Sequence, residues 1–143
     1  MSELKYFLKE NKKERETTEY AATKTLCDEK GEPVKWTIKA ISTAENNAIR
    51  DDCMYEIPVK GKPNMFRAKL NTSKYIALML SKSVVFPNLN DTQLQDSYGV
   101  CSPEDLVKAM VDIPAEYDAF AQFVQQFNGF DVSLSDKVEE AKN

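Results

Sequence analysis

Apolar and polar residues alternate most regularly from Val34 to Ala40, where Val34, Trp36, Ile38 and Ala40 interleave with Lys35, Thr37 and Lys39. A period of two gives a strand one buried face and one wet face, so this stretch predicts an antiparallel sheet covered on one side. Trp36 is the expected inner anchor of that sheet. Upstream, Tyr20, Ala22 and Leu26 share one parity and Thr23 and Thr25 the other, which predicts a partner strand over residues 19–26. Between the two, "DEKGEP" offers Asp28 and Gly31 for a turn and Pro33 to close it.

The period then changes. Ser42 opens "STAE", the pattern of a capping box, in which the Ser42 hydroxyl accepts from the Glu45 amide and the Glu45 carboxylate accepts from the Ser42 amide. A helix over 43–54 should follow, with Ala44, Ala48 and Ile49 inward. "YEIPVKGKPNMFRAKLN" carries a second turn signal, Gly61 and Pro63, between arms at Tyr55 to Val59 and Phe66 to Leu70. Pro58 lacks a donor for a ladder, which makes its arm an edge strand or an irregular extended segment.

Asn71, Thr72 or Ser73 can cap the next helix, "KYIALMLSKSVVF", whose apolar residues run nearly all the way round and mark it as the central buried helix, ended by Pro87. "NLNDTQLQDSYGV" reads as a loop holding one helical turn, opened by Asp91 and closed by Gly99. "SPEDLVKAMV" places Ser102 at the N-cap, Pro103 at the first helical position and two acids in the first turn. A last helix, "AEYDAFAQFVQQFNG", should stop at Gly129.

These elements predict an α+β fold: a small antiparallel sheet or hairpin in the N-terminal half, packed against three or four helices. At 143 residues the chain is expected to form a single domain over 1–143. Residues 1–16, with a short apolar stripe at Leu4, Phe7 and Leu8, are expected to be a docking or mobile terminus. Residues 131–143 are charged and leave a short helix or a free tail open.

Composition narrows the function more than the fold. No apolar run reaches the roughly 18–20 residues of a membrane span, and "MSELKYFLKENKKERE" lacks the apolar core of a signal peptide. A cytoplasmic, membrane-free protein is therefore expected. Cys27, Cys53 and Cys101 are few, odd in number and widely spaced, which fits reduced thiols acting as small buried or half-buried hydrophobes. The net charge of −4, with no sizeable basic block, gives no support to nucleic-acid binding.

The chain contains no histidine, so the commonest general base, nucleophile activator and metal ligand are all missing. Carboxylates do cluster, at Asp51 with Asp52, Asp91 with Asp96, and Glu104 with Asp105. Each cluster has a simpler reading as a solvated helix face, a cap or a first-turn charge. The four glycines are isolated, so no phosphate-binding loop is formed. Neither a catalytic residue, a cofactor nor a metal site is expected.

One feature exceeds what folding requires. At about 100° per residue, the apolar side chains of the last helix cover some half of its circumference. A core helix accounts for most of them, but the edge formed by Phe123, Phe127 and Phe130 is a candidate partner-binding site, because contiguous exposed aromatics mark interaction surfaces.

Three long stretches carry a family resemblance: "EYAATKTLCDEKGEPVKWTIKAISTAENNAIR", "NTSKYIALMLSKSVVFPNLNDTQLQDSYGV" and "SPEDLVKAMVDIPAEYDAFAQFVQQFNG". Together, over about Tyr20 to Gly129, they resemble the XkdN-like phage tail assembly chaperones of Gram-positive bacteriophages and PBSX-type prophages. "GEPVKWTIKAIS" and "VVFPNLNDTQLQDSYGV" are the most particular pieces; "DIPAEYD" departs from the expected lead into the last helix. The resemblance implies a non-enzymatic tail assembly chaperone acting in the cytoplasm of the bacterial host. It implies the tape measure protein as partner, with the tail tube protein or a frameshifted longer form of the chain as further partners, and no catalytic or metal motif. The rival expectation is a structural minor tail or neck component that stays in the virion.

Overall fold

The computed structural model describes residues 3–130, and the calls on residues 131–143 lie outside the described residues. The alternating stretch does form a sheet. Strands β1 (Thr18–Tyr20) and β2 (Trp36–Ile38) pair antiparallel, with Tyr20 opposite Trp36 and Thr18 opposite Ile38. Trp36 and Ile38 are buried, as the period of two requires. The turn between them is held by the Asp28 carboxylate, which accepts from the amides of Lys30 (2.8 Å) and Glu32 (3.1 Å).

The partner strand is shorter than its pattern predicts. Ala22 and Thr23 are adjacent and both buried, which an alternating strand does not allow. The chain leaves the ladder after Tyr20 and rejoins its neighbour only near the turn, where the Val34 amide donates to the Leu26 carbonyl (2.9 Å). Thr23 turns inward because its hydroxyl has a partner 93 residues away, described below.

Helix α1 (Thr43–Cys53) begins on the expected capping box, with 3.1 Å from the Glu45 amide to Ser42 Oγ and 3.0 Å from the Ser42 amide to Glu45 Oε1. Its inward residues are Ile49 and Cys53; Ala44 and Ala48 are exposed. The two larger side chains, four apart on one face, displace alanines that have little area to bury. Strands β3 (Met54–Pro58) and β4 (Phe66–Leu70) follow as a separate two-stranded ribbon.

Helix α2 (Thr72–Ser83) is capped by Asn71 and buries Tyr75, Ala77, Met79 and Leu80. It ends three residues before the expected stop. Val84 to Phe86 form strand β5, which completes a three-stranded sheet in the order β1-β2-β5. Two β-branched residues are stiff in a helix, and a residue preceding proline is driven toward extended backbone. The open edge of β2 supplies the alternative partners; the Lys39 amide, for instance, donates to the Ser83 carbonyl (2.8 Å).

Helix α3 (Thr92–Tyr98) stands where a single turn was expected, capped by Asp91 and closed by Gly99 in the left-handed region (φ 69°). Helix α4 (Pro103–Met110) starts at the Ser102 cap and buries Leu106, Val107 and Met110. Helix α5 (Pro114–Phe127) takes Pro114 as its first residue, so the "DIPAEYD" lead forms an ordinary proline start. The α+β architecture of small antiparallel sheets packed by helices is therefore the one expected, with α2 at its centre against α1, α4 and α5.

Two side-chain clamps fix α5 to the N-terminal half. At its start the Glu116 carboxylate accepts from the Thr23 hydroxyl (2.7 Å) and the Lys24 amide (2.9 Å). At its end Asn128 Oδ1 accepts from the Ile41 amide (2.7 Å), while Asn128 Nδ2 donates to the Val124 carbonyl (2.8 Å). The N-terminal segment is more loosely attached: it makes two short 3-10 turns, Leu4–Phe7 and Lys9–Asn11, and leaves Leu4, Phe7 and Leu8 exposed.

Candidate functional site

The carboxylate clusters serve the fold. Asp91 caps α3 by accepting from the Leu94 amide (2.9 Å), Glu104 and Asp105 lie in the first turn of α4, and Asp51 and Asp52 sit exposed on α1. Among the described residues, no three carboxylate or thiol side chains come together as a metal site. The thiols correct one expectation: only Cys53 is buried, while Cys27 and Cys101 are exposed. Cys101 lies in a bend, and Cys27 sits in an isolated bridge opposite Pro33 at the mouth of the turn. Burial pushes the Cys53 thiol up, away from a reactive thiolate.

The three aromatic candidates divide into two groups. Phe120 is fully buried and meets Trp36 edge-on, with ring centroids 5.6 Å apart. Tyr20 of β1 lies flat on Phe120 (5.5 Å) and flat on Phe123 (4.3 Å), and Phe123 continues to Phe127 (6.1 Å). Phe123 and Phe127 thus form the outer rungs of a ladder that starts in the core, and each is half-buried. Burial raises the Tyr20 phenol above its ordinary value, with the Glu116 carboxylate adding to the shift, so Tyr20 is neutral at physiological pH.

Phe130 lies elsewhere. Gly129 takes φ 93° and the Phe130 amide donates back to the Gln125 carbonyl (3.0 Å), so the chain turns across the end of α5. This turn carries Phe130, 39% exposed, to the lining of a groove between α2 and α5. The groove has a volume of about 780 Å³ and is lined chiefly by Leu70, Tyr75, Ile76, Met79, Tyr117 and Phe130. Arg50, Lys108 and Asp118 also contribute to it.

Polar side chains line this groove as well, with Thr72, Ser73 and Gln125 beside the charged residues. Tyr75 pairs its hydroxyl with Asn46 Oδ1, and the Arg50 guanidinium lies 5.8 Å from the centre of its ring. Burial raises the phenols of Tyr75 and Tyr117, which keeps both neutral hydrogen-bonding groups. A trough that mixes apolar and charged side chains suits an amphipathic peptide or helix.

Sequence reasoning reached one residue of this groove, Phe130, and missed its walls. The available signal is the apolar character of α2 nearly all the way round, which predicts a central buried helix. Ile76 and Leu78 are in fact only half-buried, and α2 turns Ile76 toward the groove together with Tyr75 and Met79.

Comparison with known proteins bears on this arrangement. Residues 4–142 match the family model described as phage XkdN-like tail assembly chaperone protein. The chain is 26% identical over 141 residues to the uncharacterized protein YqbN of Bacillus subtilis (strain 168), covering 99% of this chain and 93% of that protein. It is 24% identical over 141 residues to the phage-like element PBSX protein XkdN of the same organism, covering 99% and 94%. The crystal structure of YqbN superposes with a TM-score of 0.72 at 20% identity, over 88% of this chain and 95% of that one, a likeness of fold.

Proposed function

The chain belongs to the family of phage XkdN-like tail assembly chaperones, and from that premise we propose that it binds the tape measure protein while the tail is built. The observation that carries this reading is the groove between α2 and α5, where apolar side chains stand beside Arg50, Lys108 and Asp118 and Phe130 forms one border. Its occupant in this reading is an amphipathic helix of the tape measure, whose apolar face would otherwise be exposed before the tube closes around it. The exposed edges of Phe123 and Phe127 extend the contact on the other side of α5. The tail tube protein and a frameshifted longer form of the chain are further partners of the same assembly. In this reading the chain works without catalysis in the host cytoplasm; among the described residues no helix is long and apolar enough to cross a membrane.

Co-expression with the tape measure protein, followed by pull-down and a solubility assay, tests the proposal. The expected result is a soluble tape measure that co-purifies with the native chain and is lost with Phe130→Ser or Ile76→Lys in a folded background. A tape measure that stays insoluble and unbound, even with the longer form supplied, would move the weight to a structural minor tail or neck component. Mass spectrometry of purified particles separates these two: the chaperone is depleted, the structural component present at fixed stoichiometry.

A further inference from the structure

The ribbon of β3 and β4 has two unlike faces. Its strands pair in full register, from Met54 opposite Leu70 to Pro58 opposite Phe66. Directly opposed residues point to the same side of a ribbon, and successive residues to opposite sides. Met54, Pro58, Phe66, Ala68 and Leu70 therefore share one face, with Glu56 as its single charge. Tyr55, Ile57, Arg67 and Lys69 share the other, so both cations of the paired strands lie on one side. The same alternation buries Trp36 and Ile38 in β2, but here the apolar face is open: Met54 is 40% and Phe66 59% exposed, with Pro58 and Ala68 exposed beside them. A two-stranded ribbon is marginal in water by itself, and an apolar face on it that no described residue covers marks a contact surface.

That face is continuous with the groove. Leu70 belongs to both, because it lines the groove together with Thr72 and Ser73 of α2. The ladder runs on past the strands, with the Asn71 amide donating to the Cys53 carbonyl (2.8 Å), and Asn71 then caps α2 by accepting from the Lys74 amide (3.2 Å). The Lys74 ammonium donates in turn to the Asp52 carbonyl (3.0 Å), which ties the end of α1 to the start of α2. The base of the ribbon is thus the rim of the groove. From Leu70 the apolar surface runs inward to Tyr75 and Ile76 and outward to Ala68 and Phe66.

We propose that the apolar face of the ribbon extends the groove and takes the same amphipathic helix of the tape measure protein. The ribbon contact presupposes the groove contact and adds an outer half to it. The rise from Thr72 to Met79 gives the groove about 10 Å along α2, and four residue steps of β3 add up to about 14 Å. A helix that meets both spans up to about 24 Å, roughly 16 residues, where the groove alone needs roughly seven. The face with Arg67 and Lys69 stays in water, and charged side chains of this kind keep an exposed ribbon from pairing with others.

Capture of the tape measure protein by the full chain provides the test. Met54→Thr with Phe66→Thr removes two large apolar side chains from the open face and keeps strand-forming residues. With its fold checked by circular dichroism, this variant should bind the tape measure about tenfold more weakly, against complete loss with Ile76→Lys. Tyr55→Thr with Lys69→Thr alters the opposite face and should change binding less than about twofold. Hydrogen exchange on the native chain needs no variant: residues 66–70 and 72–79 should gain protection together in the complex. Capture that is lost with Ile76→Lys but undiminished in the Met54 and Phe66 variant, with no protection of residues 66–70, overturns the ribbon contact and leaves the groove standing. No capture by the native chain, or capture unchanged by Ile76→Lys, overturns the groove reading and the shared occupant with it. A ribbon already protected in the chain without tape measure is covered by its own chain or by a second copy, which overturns the proposal as well.

Discussion

Replacing Glu116 tests whether the position of α5 is set by its clamp to the N-terminal half. Its carboxylate takes one bond from the buried Thr23 hydroxyl at 2.7 Å and one from the Lys24 amide at 2.9 Å. A hydrogen bond to a charged group contributes about 1.5–3 kcal/mol when its partner is shielded. Lys24 is exposed and its amide can turn to water, so the Thr23 bond accounts for most of the effect. Loss of a carboxylate from the first turn of α5 adds about 0.5 kcal/mol. Glu116→Ala should therefore destabilise the chain by about 2–3 kcal/mol, a fall in Tm of roughly 6–9 °C for a chain of this size. Glu116→Gln keeps the shape, can accept from Lys24 and donate to Thr23, and should cost about 0.5–1 kcal/mol. Urea denaturation followed by circular dichroism and by the fluorescence of Trp36, the chain's one tryptophan, measures both. A cycle with Thr23→Val should return a coupling of about 1–2 kcal/mol. An alanine variant within about 0.5 kcal/mol of the native chain, or a cycle without coupling, would refute the clamp.

Other expectations follow from single features. The Ser83 hydroxyl is buried without a hydrogen-bond partner among the described residues, so Ser83→Ala should leave stability unchanged or raise it by about 1 kcal/mol in the same denaturation assay. Gly99 closes α3 at φ 69° with open space around its Cα, so Gly99→Ala meets only the conformational penalty, about 1 kcal/mol by thermal melting. The Glu45 carboxyl is held below its ordinary value, chiefly by the Ser42 amide, so its stabilisation is complete above the unfolded-state pKa of about 4.3 and is lost as pH falls through the lower folded value. Glu45→Gln should remove that part of the acid dependence, read from melts taken between about pH 5 and 2. Phe123→Ser, which breaks the stack on Tyr20, should cost about 2–3 kcal/mol, whereas Phe130→Ser should cost under about 1 kcal/mol because its ring is already well exposed.

The parts of this fold that could be read in advance are those with a local cause. Ser42 and Glu45 make their capping box from four consecutive residues, and Trp36 and Ile38 are buried by the parity of a single strand. The misread parts have distant causes. Thr23 looks like the wet side of a strand until Glu116 arrives from the far end of the chain. Val84 to Phe86 look helical until the edge of β2 offers a ladder. The candidate site divides in the same way: one helix indicates an aromatic surplus, but a groove needs two helices. The separation of Phe130 from Phe123 and Phe127 depends on a turn after α5, which helical spacing cannot register.

The clamps and the groove share one element, and this makes stability and binding separable by experiment. Helix α5 presents Phe120, Phe123 and Phe127 to the sheet side and Tyr117 and Ala121 to the groove side. Its position relative to α2 sets the width of the groove, and Glu116 and Asn128 hold it at either end without lining that groove. Freeing one end should let α5 shift on α2, because packed helices slide at small cost when their anchors are removed. Glu116→Ala should then weaken tape measure capture at temperatures where the chain is still folded, and Asn128→Ala should do so from the other end. Phe130→Ser should weaken capture as strongly with little change in melting. Full binding by a folded Glu116→Ala chain would mean that the groove does not depend on the clamp, and that the partner is held by the outer aromatic rungs instead.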